Sequence, residues 1–261
     1  MYDLSALENA LAGTIFASKL HFFPSTGSTN SDALAAARNG APHGSVFFAD
    51  EQTAGRGRGD HRWHSAAGEG LYVSVLLRPT ISVEHLPLIP LAAGLAAAQA
   101  IRSAADLDVE LRWPNDLLIG NGKAGGILVE SKTETGKVTF VVIGIGINVH
   151  QRDFDSELAT PATSLDIASG GVISRQTLII ALLESLQHET SGLHDPAVVA
   201  AIPARVAQMS SWIWDRRVEV HGPQACIGLT AGLDKNGFLR VRTDHGIVTV
   251  QTGGIRAVGK S

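Results

Sequence analysis

Apolar runs separated by short polar punctuation fill the first 150 residues and predict alternating helices and strands. Leu4, Leu7 and Leu11 share one stripe of a short helix over residues 3–13, which Gly13 stops. Residues 20–23 read as a strand ending at Pro24. An alanine-rich helix then runs from about residue 28 to Arg38 and stops at Asn39-Gly40, with Ser28 or Thr29 as its N-cap. Strands at 45–50 and 71–77 flank a polar stretch at 51–65, and residues 84–104 carry the pattern of a buried helix. Residues 109–113 and 117–119 are strands around the turn Pro114-Asn115-Asp116. Gly120-Asn121-Gly122 signals a hairpin leading through Lys123-Ala124-Gly125-Gly126 into another strand at 127–130. Residues 138–149 contain no charge and read as a buried strand.

The second half differs. A polar segment at 150–164 precedes helices at about 174–192 and 196–208; in the first, Leu178, Ile179, Leu182, Leu183 and Leu186 form a core stripe. After Met209 come short strands at 217–221, 225–233, 238–242 and 247–251, with turns at Asp234-Lys235-Asn236-Gly237 and Asp244-His245-Gly246. Such spacing predicts a small barrel, and hence a division into residues 1–209 and 210–261.

Composition narrows the classes. The 261 residues are 44% hydrophobic and 18% charged, as in an ordinary globular chain, and the net charge is −4. A field of that sign argues against duplex DNA as the main partner. The single cysteine, Cys226, excludes an internal disulfide framework and fits a reducing compartment. The N-terminus lacks the pattern of a secretory signal. The apolar run at 86–101, interrupted by Pro87 and Pro90, is read as too short to span a membrane. The expectation is a soluble, cytoplasmic protein with no membrane partner.

Candidate chemistry concentrates in the stretch 51–65, with Gln52, Gly55, Arg56, Gly57, Arg58 and Trp63. Glycines let backbone N–H groups turn inward toward an anion, and arginine offers a fixed fork of donors to phosphate or carboxylate. A solvated basic loop is the plain alternative; the tryptophan points instead to a flat, charged ligand. Ser28, Thr29 and Asn30 are either ordinary caps or the polar lining of a pocket at a helix start. The hairpin brings the ends holding Asp116 and Lys123 side by side. Gly144-x-Gly146 begins like a dinucleotide fingerprint, but neither a third glycine nor a helix follows, so a dinucleotide site is rejected. Glycines within a strand indicate close backbone approach instead.

Taken in order, Ser28-Thr29-Asn30, Gln52 with Gly55-Arg56-Gly57-Arg58 and Trp63, Arg112-Trp113-Pro114-Asn115-Asp116, Lys123-Ala124-Gly125-Gly126-Ile127 and Gly144-Ile145-Gly146-Ile147-Asn148 resemble the motifs of biotin protein ligases. The resemblance implies an α+β fold: a mixed β-sheet catalytic domain with helices packed on one face, similar to class II synthetases, plus a C-terminal SH3-like barrel. It implies activation of biotin by ATP to biotinyl-5′-adenylate, then transfer to a lysine of a biotin carboxyl carrier protein, with Mg²⁺ accompanying ATP.

By that similarity Ser28, Thr29, Asn30 and Gln52 hold the ureido ring, while Gly55, Arg56, Gly57 and Arg58 close over biotin and the adenylate phosphate. Trp63 packs over the ligand, and Gly144 and Gly146 admit it to the strand. Lys123 is the main catalytic charge, with Arg58 beside it. Arg58, Arg112, Asn115, Asp116, Lys123 and Asn148 form the nucleotide set, and no metal ligands are assigned. A homodimer is an expectation on the same ground. Some members carry an N-terminal DNA-binding domain; only 27 residues precede Ser28 here, so no DNA binding is expected.

Two positions depart from the family pattern. Asp60 and His61 stand where glycine and a third arginine are usual, which predicts weaker or pH-sensitive loop ordering. Arg112 replaces the common lysine. The rival readings are a lipoate ligase or octanoyltransferase of the same fold, and a non-catalytic module that grips an acidic partner. A cysteine nucleophile is disfavoured because Cys226 lies far from the motifs.

Overall fold

Residues 137–148 form the middle of the molecule because their alternation satisfies two different faces at once. In the computed structural model, which describes residues 2–258, this segment is strand β7 (Lys137–Asn148) of a seven-stranded sheet ordered β1-β2-β3-β7-β6-β5-β4. The other strands are β1 (Leu20–Thr26), β2 (Ser45–Gln52), β3 (Gly70–Leu77), β4 (Glu110–Arg112), β5 (Asp116–Ile119) and β6 (Gly122–Glu134). Only β1 and β2 pair in parallel; their crossover is helix α2 (Thr29–Arg38). The remaining neighbours are antiparallel, joined by hairpins or by helix. β1 continues through Pro24 to Thr26, beyond its expected end; an edge strand tolerates a residue that donates no ladder hydrogen bond.

One face of this sheet, carrying Val73, Val75, Ile143, Ile145 and Ile147, packs against α1 (Leu4–Ala10), α3 (Ile89–Ala105) and α5 (Arg175–Ser191) in the main core. The opposite face carries Phe47, Leu76, Phe140 and Val142 and packs against Ala33 and Ala37 of α2. Helices therefore cover both faces, not one as expected: the parallel crossover places α2 opposite the others. Among the described residues two more helices follow, α4 (Leu165–Ser169), unforeseen just after the polar segment, and α6 (Pro196–Gln208). The short α4 is set by its Ser164 cap, which accepts from Ile167 N, and by Gly170 in the left-handed region.

With the 3₁₀ segment Val83–Leu88 before it, α3 extends the helical run to Val83–Ala105, long and apolar enough by composition to cross a membrane. This is longer than the uncharged run at 86–101, because Pro90 sits in the first turn of α3, where its missing donor is not needed, and Pro87 interrupts only the short 3₁₀ segment. The run serves as a core helix: Ala92, Ala93, Ala96, Ala97 and Ala100 are completely buried, and their small side chains let α5 and the sheet approach closely.

Residues 214–257 form a second sheet, ordered β11-β10-β9-β8-β12, from β8 (Trp214–His221), β9 (Cys226–Leu233), β10 (Leu239–Thr243), β11 (Gly246–Val250) and β12 (Gly254–Ala257). β12 was unforeseen. All pairings are antiparallel, as in the small β unit expected; among the described residues β11 and β12 do not pair with each other, so the sheet is not closed by hydrogen bonds. Residues 259–261 of that expected unit lie outside the described residues. The two sheets meet through Trp113 Nε1, which donates to Gly237 O at 2.9 Å, and Ser210 Oγ, which donates to Leu111 O at 2.5 Å.

The close packing of α3 predicts that Ala96→Leu lowers stability by about 1–3 kcal/mol through overpacking. Urea denaturation checks this; an unchanged midpoint would mean that α3 is not held tightly.

Candidate active site

Alternation along β7 puts Val142, Gly144 and Gly146 on the α2 face. The apolar layer under α2 thus gives way to bare backbone toward the C-terminal end of the strand. Register places Ser74 and Leu128 beside Gly144, and Tyr72 and Gly126 beside Gly146. A Cβ at Gly144 would collide with Asn30 Oδ1, and one at Gly146 would stand 2.5 Å from Trp63 Nε1. A helix residue and a loop residue therefore rest directly on the strand, as close backbone approach requires of glycine.

The start of α2 lies over this floor. Ser28 takes the extended N-cap conformation but makes no side-chain capping bond, against the ordinary expectation for serine. The cap comes from 23 residues away: Gln52 Oε1 accepts from Thr29 N at 2.9 Å and from Thr29 Oγ1 at 3.1 Å, while Gln52 Nε2 donates to Ser65 Oγ at 2.9 Å. Ser74 Oγ lies 2.8 Å from Thr29 Oγ1 and 2.5 Å from Asn30 Oδ1. Ser28, Thr29 and Asn30 are all buried.

The 51–65 stretch folds into a miniature hairpin. Gly57 N donates to His61 O at 2.7 Å, Trp63 N to Gly55 O at 3.0 Å, and Arg56 and Arg62 form an antiparallel bridge. Gly59 turns the tip with a φ of +59°. Gly55 is required because a Cβ there would collide with the backbone carbonyl oxygen of Trp63. The departures at Asp60 and His61 fall in this exposed tip, where His61 acts through its carbonyl.

The cationic centre arises from a bulge. Asp116 pairs with Gly126 and Leu117 with Gly125, but Leu118 pairs with Lys123, so Ala124 is the extra residue. The shift of parity brings Lys123 onto the face of Gly126 and Asp116. Lys123 Nζ lies 2.5 Å from Asp116 Oδ1 and 5.5 Å from the centre of the Trp63 ring. Arg112 holds the other oxygen of Asp116 through Nη2 at 2.6 Å and Nε at 3.1 Å. It also donates to Thr160 Oγ1 at 3.0 Å and lies over the Trp212 ring at 5.3 Å. Burial works to raise the Asp116 pKa; Lys123 and Arg112 outweigh it and hold the carboxyl below the usual range. Arg58 enters from the loop, with Nη1 at 2.7 Å from Gly253 O in the β11–β12 connection and 3.3 Å from Asn115 Oδ1. Burial lowers its pKa, opposed by Asp116.

The expected residues thus gather along one strip floored by Gly144 and Gly146, a groove that Asn30 and Trp63 fill where they rest on the strand, with two exceptions in orientation. Asn148 stands on the same face of β7 as Gly146 but is buried, with Nδ2 donating to the Thr163 carbonyl at 3.0 Å and the Lys123 carbonyl at 3.3 Å. It fastens the backbone of Lys123. Arg56 turns from the cationic centre to Glu130, at 2.5 Å and 3.2 Å. Four features escaped the sequence reading: Glu130, Ser74, the 160–163 strap that bridges to Lys123, and Gly253. Two left a signal. Ser74 is the one polar side chain in the apolar strand 71–77, and Glu130 is the first charge after Lys123 along β6. The strap and Gly253 left none, because apart from the Thr160 hydroxyl their roles are carried by backbone groups.

Because the folded pKa of Asp116 is depressed, its contribution to stability is complete above the unfolded value of about 4 and disappears as pH falls through the lower folded value. Asp116→Asn should therefore flatten the acid limb of a stability–pH profile below about pH 4, measured by urea denaturation at each pH. An unchanged acid limb would show that the carboxylate is not held by its two cations.

Comparison with known proteins fits this geometry. Residues 22–148 match the model of the biotin/lipoate A/B protein ligase family. A biotin–[acetyl-CoA-carboxylase] ligase of Mycobacterium tuberculosis is 33% identical over 237 residues, covering 88% of this chain and 85% of that protein. A bifunctional ligase/repressor of Bacillus spizizenii is 46% identical over 154 residues, 58% of this chain; the match spans only about half, 47%, of that relative's length. Among solved structures, a biotin protein ligase from Aquifex aeolicus in complex with biotin and ATP superposes with a TM-score of 0.78 at 26% identity, over 92% of this chain and 100% of that one. The chain belongs to the biotin protein ligase family.

Proposed function

We propose that this protein joins biotin to ATP, giving biotinyl-5′-adenylate and pyrophosphate, and then transfers the biotinyl group to a lysine of a biotin carboxyl carrier domain. The observation that carries this reading is the placement of Lys123, Arg58 and Arg112 around Asp116 at one end of a glycine-floored groove on whose floor Trp63 rests. At the other end lie Ser28, Thr29, Asn30 and Gln52, whose donors and acceptors suit the ureido ring. The uncommitted hydroxyl of Ser28 is the group best placed to meet it.

In the first step a carboxylate oxygen of biotin bonds to the α-phosphorus of ATP as the bond to the bridging β-oxygen breaks and pyrophosphate leaves. Two anions must meet, so the chemistry needs positioning and positive charge more than a protein nucleophile. Lys123 supplies that charge, and Asp116, Arg112 and the Asn148-held backbone fix its position. Arg58, half-buried and held by its contacts to Asn115 and Gly253, would face the adenylate phosphate. In the second step the target lysine, as the free amine, attacks the acyl carbon; AMP leaves from it, and the amine's proton is released.

Magnesium belongs to this reading as a companion of ATP. Among the described residues no group of three or more His, Cys, Asp or Glu side chains could hold a metal, and the one carboxylate at the centre, Asp116, is engaged by two cations. The donor set does not form a protein cage for Mg²⁺. The same reading assigns residues 1–209 to the catalytic unit and 210–261 to a C-terminal unit that reaches the site through the Arg58–Gly253 contact.

Biotin-dependent exchange of labelled pyrophosphate into ATP tests the proposal, with lipoate and octanoate as parallel acids. Exchange with biotin alone is expected, and Lys123→Ala should reduce it by about 10²–10³, the usual cost of removing one preorganised charge. Exchange with lipoate would move the substrate; exchange with no acid in a folded sample would overturn the mechanism.

A further inference from the structure

Glu130 occupies a position for which the proposed chemistry supplies no role. It stands on β6 on the same face as Gly126, two pleats along, where the groove floor ends. Its carboxylate does two things at once. Oε2 accepts from Asn30 Nδ2 at 2.9 Å, and the two oxygens grip the Arg56 guanidinium at 2.5 Å and 3.2 Å. Asn30 is in turn fixed through Oδ1 to fully buried Ser74. A continuous line of polar contacts therefore runs Ser74–Asn30–Glu130–Arg56, from the sheet interior to the loop hairpin.

The geometry points to Glu130 as a positioning residue: a latch that holds the 55–63 hairpin closed over the groove through Arg56 and thereby slows escape of the bound acid and its adenylate. The inference rests on the function proposed above for what the groove holds, but the latch itself does not. An exposed ion pair normally contributes little, and the Arg56 and Glu130 side chains are 40% and 28% exposed. Three features set this pair apart. The contact is bidentate. The carboxylate is already oriented by a buried amide, so little side-chain freedom is lost on pairing. The hairpin has few other ties to the body of the protein: backbone contacts at its base, Trp63 on the glycine floor, and Arg58 at the far end. The same geometry divides labour between the two arginines. Arg56 is satisfied by Glu130 and acts on the loop, which leaves Arg58 and Lys123 to face phosphate.

Hydrogen exchange of the full chain without ligand reads the latch directly, through peptides covering residues 53–65. Glu130→Gln keeps an acceptor for Asn30 but removes the charge that holds Arg56. Exchange there should rise about tenfold, with protection in β3 and β7 unchanged. Arg56→Ala should do the same, and the double variant should be no worse than either single one. In Glu130→Gln with biotin present, dissociation of labelled biotin should quicken about tenfold, and KM for biotin should rise similarly with kcat within about twofold. Should Glu130→Gln also loosen β3 and β7, Arg56→Ala, altered only at the loop, decides the matter by the same readout. Unchanged protection of 53–65, or single effects that simply add, would overturn the latch. A wild-type chain that binds no biotin would instead overturn the functional reading, and the exchange data would still judge the latch.

Discussion

Close approach to the backbone of β7 is the constraint on which this molecule depends. At Gly144 and Gly146 the central strand carries no side chain on one face, and Asn30 and Trp63 occupy the space that a Cβ would fill. A strand in mid-sheet can forgo side chains on one face only if the other supplies the packing, and here Ile143, Ile145 and Ile147 do so from the main core. The result is a groove floored by fully paired backbone, which is rigid without being bulky. Every candidate ligand contact is placed relative to that floor: α2 above one end, the loop hairpin above the other, and the β5–β6 hairpin at its side.

Charge is organised around a single carboxylate. Asp116 lies between Lys123 and Arg112, so three ionised side chains share a largely buried site. Removing such groups from water is costly, and attraction between them repays only part of that cost. The arrangement is better understood as preorganisation than as a source of stability. Arg112 is held by Asp116, Thr160 and Trp212 at once, and Lys123 is fastened at its backbone by Pro161, Thr163 and Asn148. What remains adjustable is the ammonium group of Lys123, which can exchange part of its contact with Asp116 for an anion. Arginine at position 112 suits this geometry, because a planar fork can hold a carboxylate oxygen and a hydroxyl together.

The loop hairpin links parts distant in sequence. Arg56 reaches β6 and Arg58 reaches the second sheet, so alternate residues of one short segment grip two different structures. Gly57 between them allows this, since its backbone closes on His61. The second sheet is thereby brought to the edge of the groove through a carbonyl oxygen at Gly253. Gly253 itself has a φ of +123°, a conformation that strongly favours glycine.

Periodicity and local chemistry carried much of this architecture in the sequence. Alternation identified most strands of both sheets, the leucine stripe identified α5, and motif order singled out residues that the fold brings together around β7. These follow from short-range rules, because a strand's facing and a turn's residues are set by neighbours in the chain. What the chain could not disclose was set by partners far away in it. Ser28 looks like a helix cap, yet Gln52 does the capping. Arg56 and Arg58 look equivalent, yet one meets Glu130 and the other Gly253. Lys123 faces Asp116 only because Ala124 bulges, which depends on how β5 and β6 pair. α2 lies opposite the other helices because β1 and β2 run parallel. In each case residue type set what a group could do, and long-range packing, which determines the partner left within hydrogen-bond reach, decided what it does.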